Sequence, residues 1–222
     1  MGICTQEYWK FAYICDKMDA GFFYWPACSA CFYMQYETVL ERQIGEMKNI
    51  TVKDIVNATG GFLLCGDEDT PITGLCIDSR KAQAGDLFIP LLGNKVDGHR
   101  FIEPAMERAS ATLTSEHDNV VISEKPFIRV DDTMKALQAI GKDIRGRYDI
   151  PYIGVTGSVG KTTTREMIAA AVGTGRHCFQ TNGNENSQIG VPMTLSRMTD
   201  GYDAAVIEMG ISEPGQMEIL SD

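Results

Sequence analysis

Missing from this sequence is any apolar run of the ~20 residues that a membrane-spanning helix needs. Residues 22–34 come nearest, and Pro26 interrupts them. The first residues also lack the basic start and clean apolar run of a secretory leader. Basic residues are scarce: 20 Lys and Arg against 30 Asp and Glu leave a net charge of -10. That balance excludes a general nucleic-acid binder, whose phosphate contacts need a basic face. It leaves anionic small molecules open, because a phosphate site uses a few local donors and a metal rather than net charge. The seven cysteines are odd in number and follow no repeat, so a disulfide framework is not expected and a reducing cytoplasm is. Cys28-x-x-Cys31 has the spacing of a metal or redox pair, yet no second pair at zinc spacing follows, and Cys4 and Cys15 have no histidine near them. Those cysteines read as apolar side chains.

What is present is ordinary for a globular protein: 222 residues, 44% apolar and 23% charged, enough for one large or two small domains with a real core. Residues 1–46 differ from the rest, being crowded with Tyr, Phe, Trp and Cys without a sustained period. They are either an extension that packs its aromatics on the domain or a partner, or a stretch upstream of a working start at Met47. From residue 47 the chain becomes orderly. Thr51 caps an expected helix over 52–58 that Gly60-Gly61 ends. Short strands are expected at 72–77, 86–92, 111–114, 120–122 and 127–130, with a helix over 101–109. Asp131-Asp132-Thr133 caps a helix whose Met134, Leu137, Ile140 and Ile144 recur at helical spacing. Its Lys135, Lys142, Arg145 and Arg147 read as a solvated face.

The stretch that specifies chemistry runs from 152 to 164, Tyr-Ile-Gly-Val-Thr-Gly-Ser-Val-Gly-Lys-Thr-Thr-Thr. A buried strand at 150–155, a tight turn over Gly157, Ser158, Val159 and Gly160, and a helix from Thr163 make a phosphate-binding loop. Glycines let backbone N–H groups turn toward an anion, the helix N-terminus adds partial positive charge, and Lys161 supplies a mobile full charge. Thr162 then holds magnesium through its hydroxyl, and the loop through Thr163 holds ATP. Val155 stands where the longer form of the motif has a glycine, so this is the shorter Gly-x-x-Gly-Lys-Thr form. Beyond it, a strand at 177–181, a helix at 191–198, an apolar strand at 204–209 and a helix at 214–220 describe a parallel sheet with helices on both faces.

Three stretches together, 154–163, Asn182-Gly183-Asn184-Glu185-Asn186-Ser187-Gln188-Ile189-Gly190-Val191-Pro192 and Ala205-Val206-Ile207-Glu208-Met209-Gly210, resemble the ATP-dependent Mur ligases of peptidoglycan synthesis. Asp78-Ser79-Arg80, Gly85-Asp86-Leu87-Phe88 and Asp97-Gly98-His99 are similar to that family's N-terminal domain. The Asn-rich stretch resembles the branch that joins D-alanyl-D-alanine to UDP-N-acetylmuramoyl-tripeptide through an acyl phosphate, in the cytoplasm. The resemblance covers 47–222 and implies an α/β chain. A small N-terminal substrate domain (47–130) and a linker helix (131–149) precede a truncated phosphate-loop parallel-sheet ATPase domain (150–222), and 1–46 stay unassigned.

It implies that Lys161 and Glu208 are catalytic, that Thr162 and Glu208 hold Mg2+, and that Gly157, Ser158, Val159, Gly160, Lys161, Thr162 and Thr163 hold ATP. Glu208 also falls at the carboxyl end of a strand, where parallel sheets place ligands. It further implies that Ser79, Arg80, Asn182, Asn184 and Asn186 contact substrate. Each has a plainer reading, since asparagine and glycine suit turns and an Asp-Ser-Arg turn can be a solvated loop. His99 reads as structural, and His117 and His177 receive no role. The family's third domain and the later residues of its central domain, including a histidine and a lysine region, are expected to lie outside this chain, which leaves it inactive alone. The alternatives are a nucleotide- or UDP-sugar-binding fragment without turnover, or a ligase of the same superfamily that adds a different residue.

Overall fold

The computed structural model describes residues 50–93, 96–116 and 123–221. Residues 1–46, Met47, His117 and the strand expected at 120–122 lie outside the described residues.

The first sheet has five strands: β2 (Phe62–Cys65), β4 (Gly74–Cys76), β5 (Asp86–Phe88), β6 (Ala111–Thr114) and β7 (Phe127–Arg129). Their order is β2-β7-β6-β5-β4, parallel from β4 to β7, with β2 antiparallel at one edge. Alternate side chains go to opposite faces. Leu75, Leu87, Leu113 and Ile128 join one buried cluster, while their neighbours Cys76, Phe88 and Phe127 join another. Both faces are covered, and for that reason the strands read as continuous apolar runs.

Helix α1 (Val52–Thr59) follows β1 (Ile50–Thr51), which pairs with β3 (Pro71–Ile72). A reciprocal capping box starts the helix: the Thr51 N–H donates to Asp54 Oδ2 at 2.8 Å, and the Asp54 N–H donates to Thr51 Oγ1 at 3.4 Å. The expected strand at 72–77 divides at Thr73, because Ile72 pairs with β1 and residues 74–76 pair with β5. The strand expected at 86–92 stops at Phe88, just before Pro90, which has no N–H to give a ladder. The helix expected over 101–109 is a 3-10 turn (Gly98–Phe101) running into the short α2 (Ile102–Met106).

The next helix, α3 (Thr133–Gly146), starts where Asp132 accepts from the Met134 and Lys135 N–H groups. It buries Ala136, Leu137, Ile140 and Ile144 in the same cluster as Leu87 and Ile128. Two of its basic side chains are engaged: Arg147 reaches Asp143 and Asp54 at 2.8 and 3.2 Å, and Arg145 lies 5.1 Å from the Tyr152 ring centre.

The second sheet holds β8 (Tyr152–Val155), β9 (Cys178–Gln180) and β10 (Ala204–Glu208), all parallel, in the order β8-β10-β9. β10 sits in the middle and every residue in it is buried. β8 was expected to be buried but forms an edge, so only Val155 is fully covered and Gly154 is exposed. Helix α4 (Lys161–Gly173) packs Ala169 against Val155 and Val206 on one face. Helix α5 (Gly190–Leu195) packs Val191 and Leu195 with Phe179, Ala205 and Ile207 on the other, and α6 (Gln216–Ser221) ends the described chain. Among the described residues no helix is long and apolar enough to cross a membrane.

The capping box gives a direct test. Thr51→Ala should lower stability by about 1 kcal/mol in urea unfolding, while Thr51→Ser, which keeps the acceptor, should lose little.

Candidate functional site

The phosphate loop forms from backbone requirements. Gly157 has φ 146 and Gly160 has φ 76, conformations that a side chain disfavours. They turn the chain sharply from β8 into α4. The helix begins at Lys161 rather than at the expected Thr163, so the N–H groups of Lys161, Thr162 and Thr163 have no acceptor within the helix. Those donors and the positive end of the helix face an open cleft of about 350 Å³, lined by Ser158, Val159, Gly160, Lys161, Thr162, Thr163, Asn184, Asn186 and Glu208. The Lys161 ammonium rests on the Gly157 carbonyl at 2.8 Å and is exposed. Val159 is 89% exposed, as a loop tip that contributes backbone rather than packing.

Glu208 is the buried member of this group, only 1% exposed. In sequence it lies two strands beyond the loop, but in the sheet β10 is the immediate neighbour of β8, with Glu208 opposite Val155. Its carboxylate meets three groups. The Thr162 hydroxyl donates to Oε2 at 3.0 Å, the Asn186 side-chain amide donates to Oε1 at 2.8 Å, and Arg165 Nη1 stands 3.5 Å from Oε2. The Glu208 N–H donates to Thr181 Oγ1 at 2.8 Å, which ties β10 to the end of β9. Thr162, Asn186 and Glu208, proposed separately from sequence, therefore share one contact cluster.

The asparagine loop follows β9. Asn184 and Asn186 line the cleft, whereas Asn182 is exposed and is not among the lining residues. The loop is fastened to α5 from behind. Glu185 accepts from Thr194 Oγ1 at 3.0 Å and pairs with Arg197. Gly190 lets it approach, since a Cβ there would lie 2.5 Å from the Glu185 carbonyl carbon.

Ser79 and Arg80 lie in the first sheet's unit, in a 3-10 turn after β4, and do not line this cleft. Arg80 forks onto Asp78, Nε to Oδ1 at 2.9 Å and Nη2 to Oδ2 at 2.7 Å. Those bonds, with the Arg80 N–H, hold the Asp78 carboxyl down at about 2. His99 is buried and structural: its Nε2 accepts from the Ser115 N–H at 3.0 Å, so Nδ1 carries the proton toward Asp97 Oδ1 at 2.7 Å. Asp97, His99 and Glu116 stand close enough together to hold a metal, but both ring nitrogens of His99 are already in use. His177 braces a turn through Asp203 and the Gly201 carbonyl.

Sequence reasoning passed over Arg165, Thr181 and Glu185. A signal for Arg165 existed. It sits three and four residues before Ile168 and Ala169 and so falls on the helix's packed face, where a charge needs a reason.

Comparison with known proteins identifies the family. The model of the Mur ligase middle domain matches residues 155–222, and that of the Mur ligase family catalytic domain matches residues 71–145. The UDP-N-acetylmuramoyl-tripeptide–D-alanyl-D-alanine ligase of Bacillus subtilis strain 168 is 41% identical over 173 residues, covering 77% of this chain and 38% of that protein. A crystal structure of MurF from Acinetobacter baumannii superposes with a TM-score of 0.70 at 30% identity, over 77% of this chain and 38% of the other. MurF from Thermotoga maritima in complex with ADP gives 0.60 at 30% identity, over 66% and 34%. The chain thus spans little more than a third of the length of these relatives.

The Asp78–Arg80 fork predicts a pH response. In an NMR titration Asp78 should stay ionised until pH falls to about 2, and Arg80→Ala should raise that value only part of the way toward the ordinary ~4, because the residue 80 N–H still donates to Asp78 Oδ1. Because the folded value is depressed, any stability from the pair is present above about 4 and fades as pH falls through the folded value.

Proposed function

Because this chain belongs to the Mur ligase family, which two of its domain models match along 71–145 and 155–222, we propose that it takes part in ATP-dependent ligation. The reaction joins D-alanyl-D-alanine to UDP-N-acetylmuramoyl-tripeptide during cytoplasmic peptidoglycan precursor synthesis. The observation that carries the reading is the Thr162 hydroxyl and Glu208 carboxylate, 3.0 Å apart in the cleft that the phosphate loop lines. Neighbouring oxygens around a magnesium ion, each at ~2.0–2.1 Å, lie ~2.8–3.0 Å from one another. The spacing and the hard oxygen donors fit that ion, and Thr162 and Glu208 would hold it. A cation held there would supply charge neutralisation for the β- and γ-phosphates.

The chain's own residues then do three things. The N–H groups at the start of α4 cradle the phosphates. Lys161 leaves the neutral Gly157 carbonyl for a charged phosphate oxygen, a stronger partner, and stabilises the charge that builds as the γ-phosphoryl moves. Asn184 and Asn186 face the same cleft, where their amides can orient the peptide carboxylate. A carboxylate oxygen attacks the γ-phosphorus and ADP departs. The amine of D-alanyl-D-alanine then attacks the acyl carbon, loses a proton, and inorganic phosphate leaves. Alignment and charge neutralisation supply most of the acceleration in such a transfer. Ser79 and Arg80 are assigned to the uridine diphosphate end, with Arg80 exchanging Asp78 for phosphate.

A second reading is nucleotide binding without turnover. It is favoured by the chain's spanning 38% of the Bacillus subtilis relative.

Calorimetry with Mg2+ and ADP tests the loop. Lys161→Ala should bring binding below detection with an unchanged circular dichroism spectrum, and unchanged affinity would overturn the assignment. The 222-residue chain, supplied with ATP, UDP-N-acetylmuramoyl-tripeptide and D-alanyl-D-alanine, should release no ligated product. Product detected by mass spectrometry would remove the second reading.

A further inference from the structure

Arg165 belongs to none of the roles above, yet it is buried, with 5% of its surface exposed. It lies four residues beyond Lys161, on the same face of α4. One guanidinium nitrogen, Nη1, serves two partners: it donates to the Gly183 carbonyl at 3.0 Å and stands 3.5 Å from Glu208 Oε2. The second, Nη2, donates to Glu166 at 3.3 Å. Nε has no hydrogen-bond partner among the described residues.

Stability alone is a poor explanation for this arrangement. A buried ion pair is often matched or exceeded by apolar side chains of similar volume, and an unsatisfied buried donor is a further penalty. What the guanidinium provides is geometry. Gly183 lies at the start of the loop that carries Asn184 and Asn186, and Glu208 ends the central strand. By touching both, Arg165 fixes the loop against the carboxylate and draws Oε2 toward α4, where Thr162 Oγ1 meets it. Asn186 holds the other oxygen, Oε1, at 2.8 Å, and its own backbone carbonyl accepts from the Gly210 N–H at 2.7 Å. Without Arg165, Oε2 would keep only the Thr162 hydroxyl, and the loop would lose its tie to the helix.

We infer that Arg165 is a positioning residue that sets the Glu208 carboxylate and the asparagine loop in register for the divalent cation and nucleotide. The inference rests on the reading of Thr162 and Glu208 as the cation's ligands. It adds that the ligand geometry is enforced by a buried cation that touches neither phosphate nor metal. Groups that orient a metal's ligands typically alter its affinity by about 10–100-fold when removed.

The test uses this chain with ADP, titrated with and without Mg2+, and with Mn2+ binding followed by electron paramagnetic resonance. Arg165→Met keeps much of the volume and removes the fork. Its ADP affinity without metal should stay within about twofold of the parent, while the gain on adding Mg2+ should shrink by about tenfold or more. Arg165→Lys restores the charge but reaches only one partner, so it should recover part of that gain. A merely structural arginine would lower the melting temperature and leave the metal-dependent gain of the folded protein unchanged, and that result overturns the inference. If Arg165→Met does not fold, Arg165→Lys decides: an Mg2+ gain equal to the parent's would overturn it just as well. A parent chain whose ADP binding ignores Mg2+ would instead bring down the reading of Thr162 and Glu208.

Discussion

A carboxylate sealed inside a protein has to be surrounded by donors or neutralised, and the second sheet is organised around meeting that demand for Glu208. Its position is fixed by β10, the central strand, whose flanks are fully covered. Its three partners arrive from two segments: Thr162 and, one turn on, Arg165 from the phosphate-loop helix, and Asn186 from the loop after β9. Each segment is placed by the parallel pairing of β8 and β9 on either side of β10. The sheet order matters more than the sequence order here. Were β9 in the middle, the loop and the carboxylate would be a strand apart and could not share a cleft.

The phosphate loop was legible because its chemistry is local. Two glycines, a lysine and a threonine at fixed spacing, bracketed by a strand and a helix, state their purpose within a dozen residues. The capping box at Thr51 and the Asp132 cap were legible for the same reason, since a helix start is decided by four residues. Strand lengths were less so. The run at 72–77 looks like one strand, but the chain turns at Thr73 to serve two different partners. A pairing partner far away in sequence leaves no mark on the run itself.

The edge position of β8 was hidden for a related reason. An apolar run reports that burial is wanted, not which neighbours supply it. Arg165 was the real omission. Sequence reasoning gave it no reading, because the groups it contacts, Gly183 and Glu208, are 18 and 43 residues away. His99 reads from sequence as structural, and in the fold both its ring nitrogens are engaged, with Asp97 and with the Ser115 N–H.

One close approach joins the two sheets. At Gly141 on α3, a Cβ would lie 2.8 Å from Pro192 Cβ on α5, and Ile189 and Met193 pack against the first sheet's core. The asparagine loop runs straight into α5. Its far end is thus seated on the first sheet's core, while its near end is held by Arg165 of α4 through the Gly183 carbonyl. Residues 183–190 thereby span from a hydrogen bond on α4 to the apolar packing of the first sheet, so a single short segment is anchored in both layers of the fold.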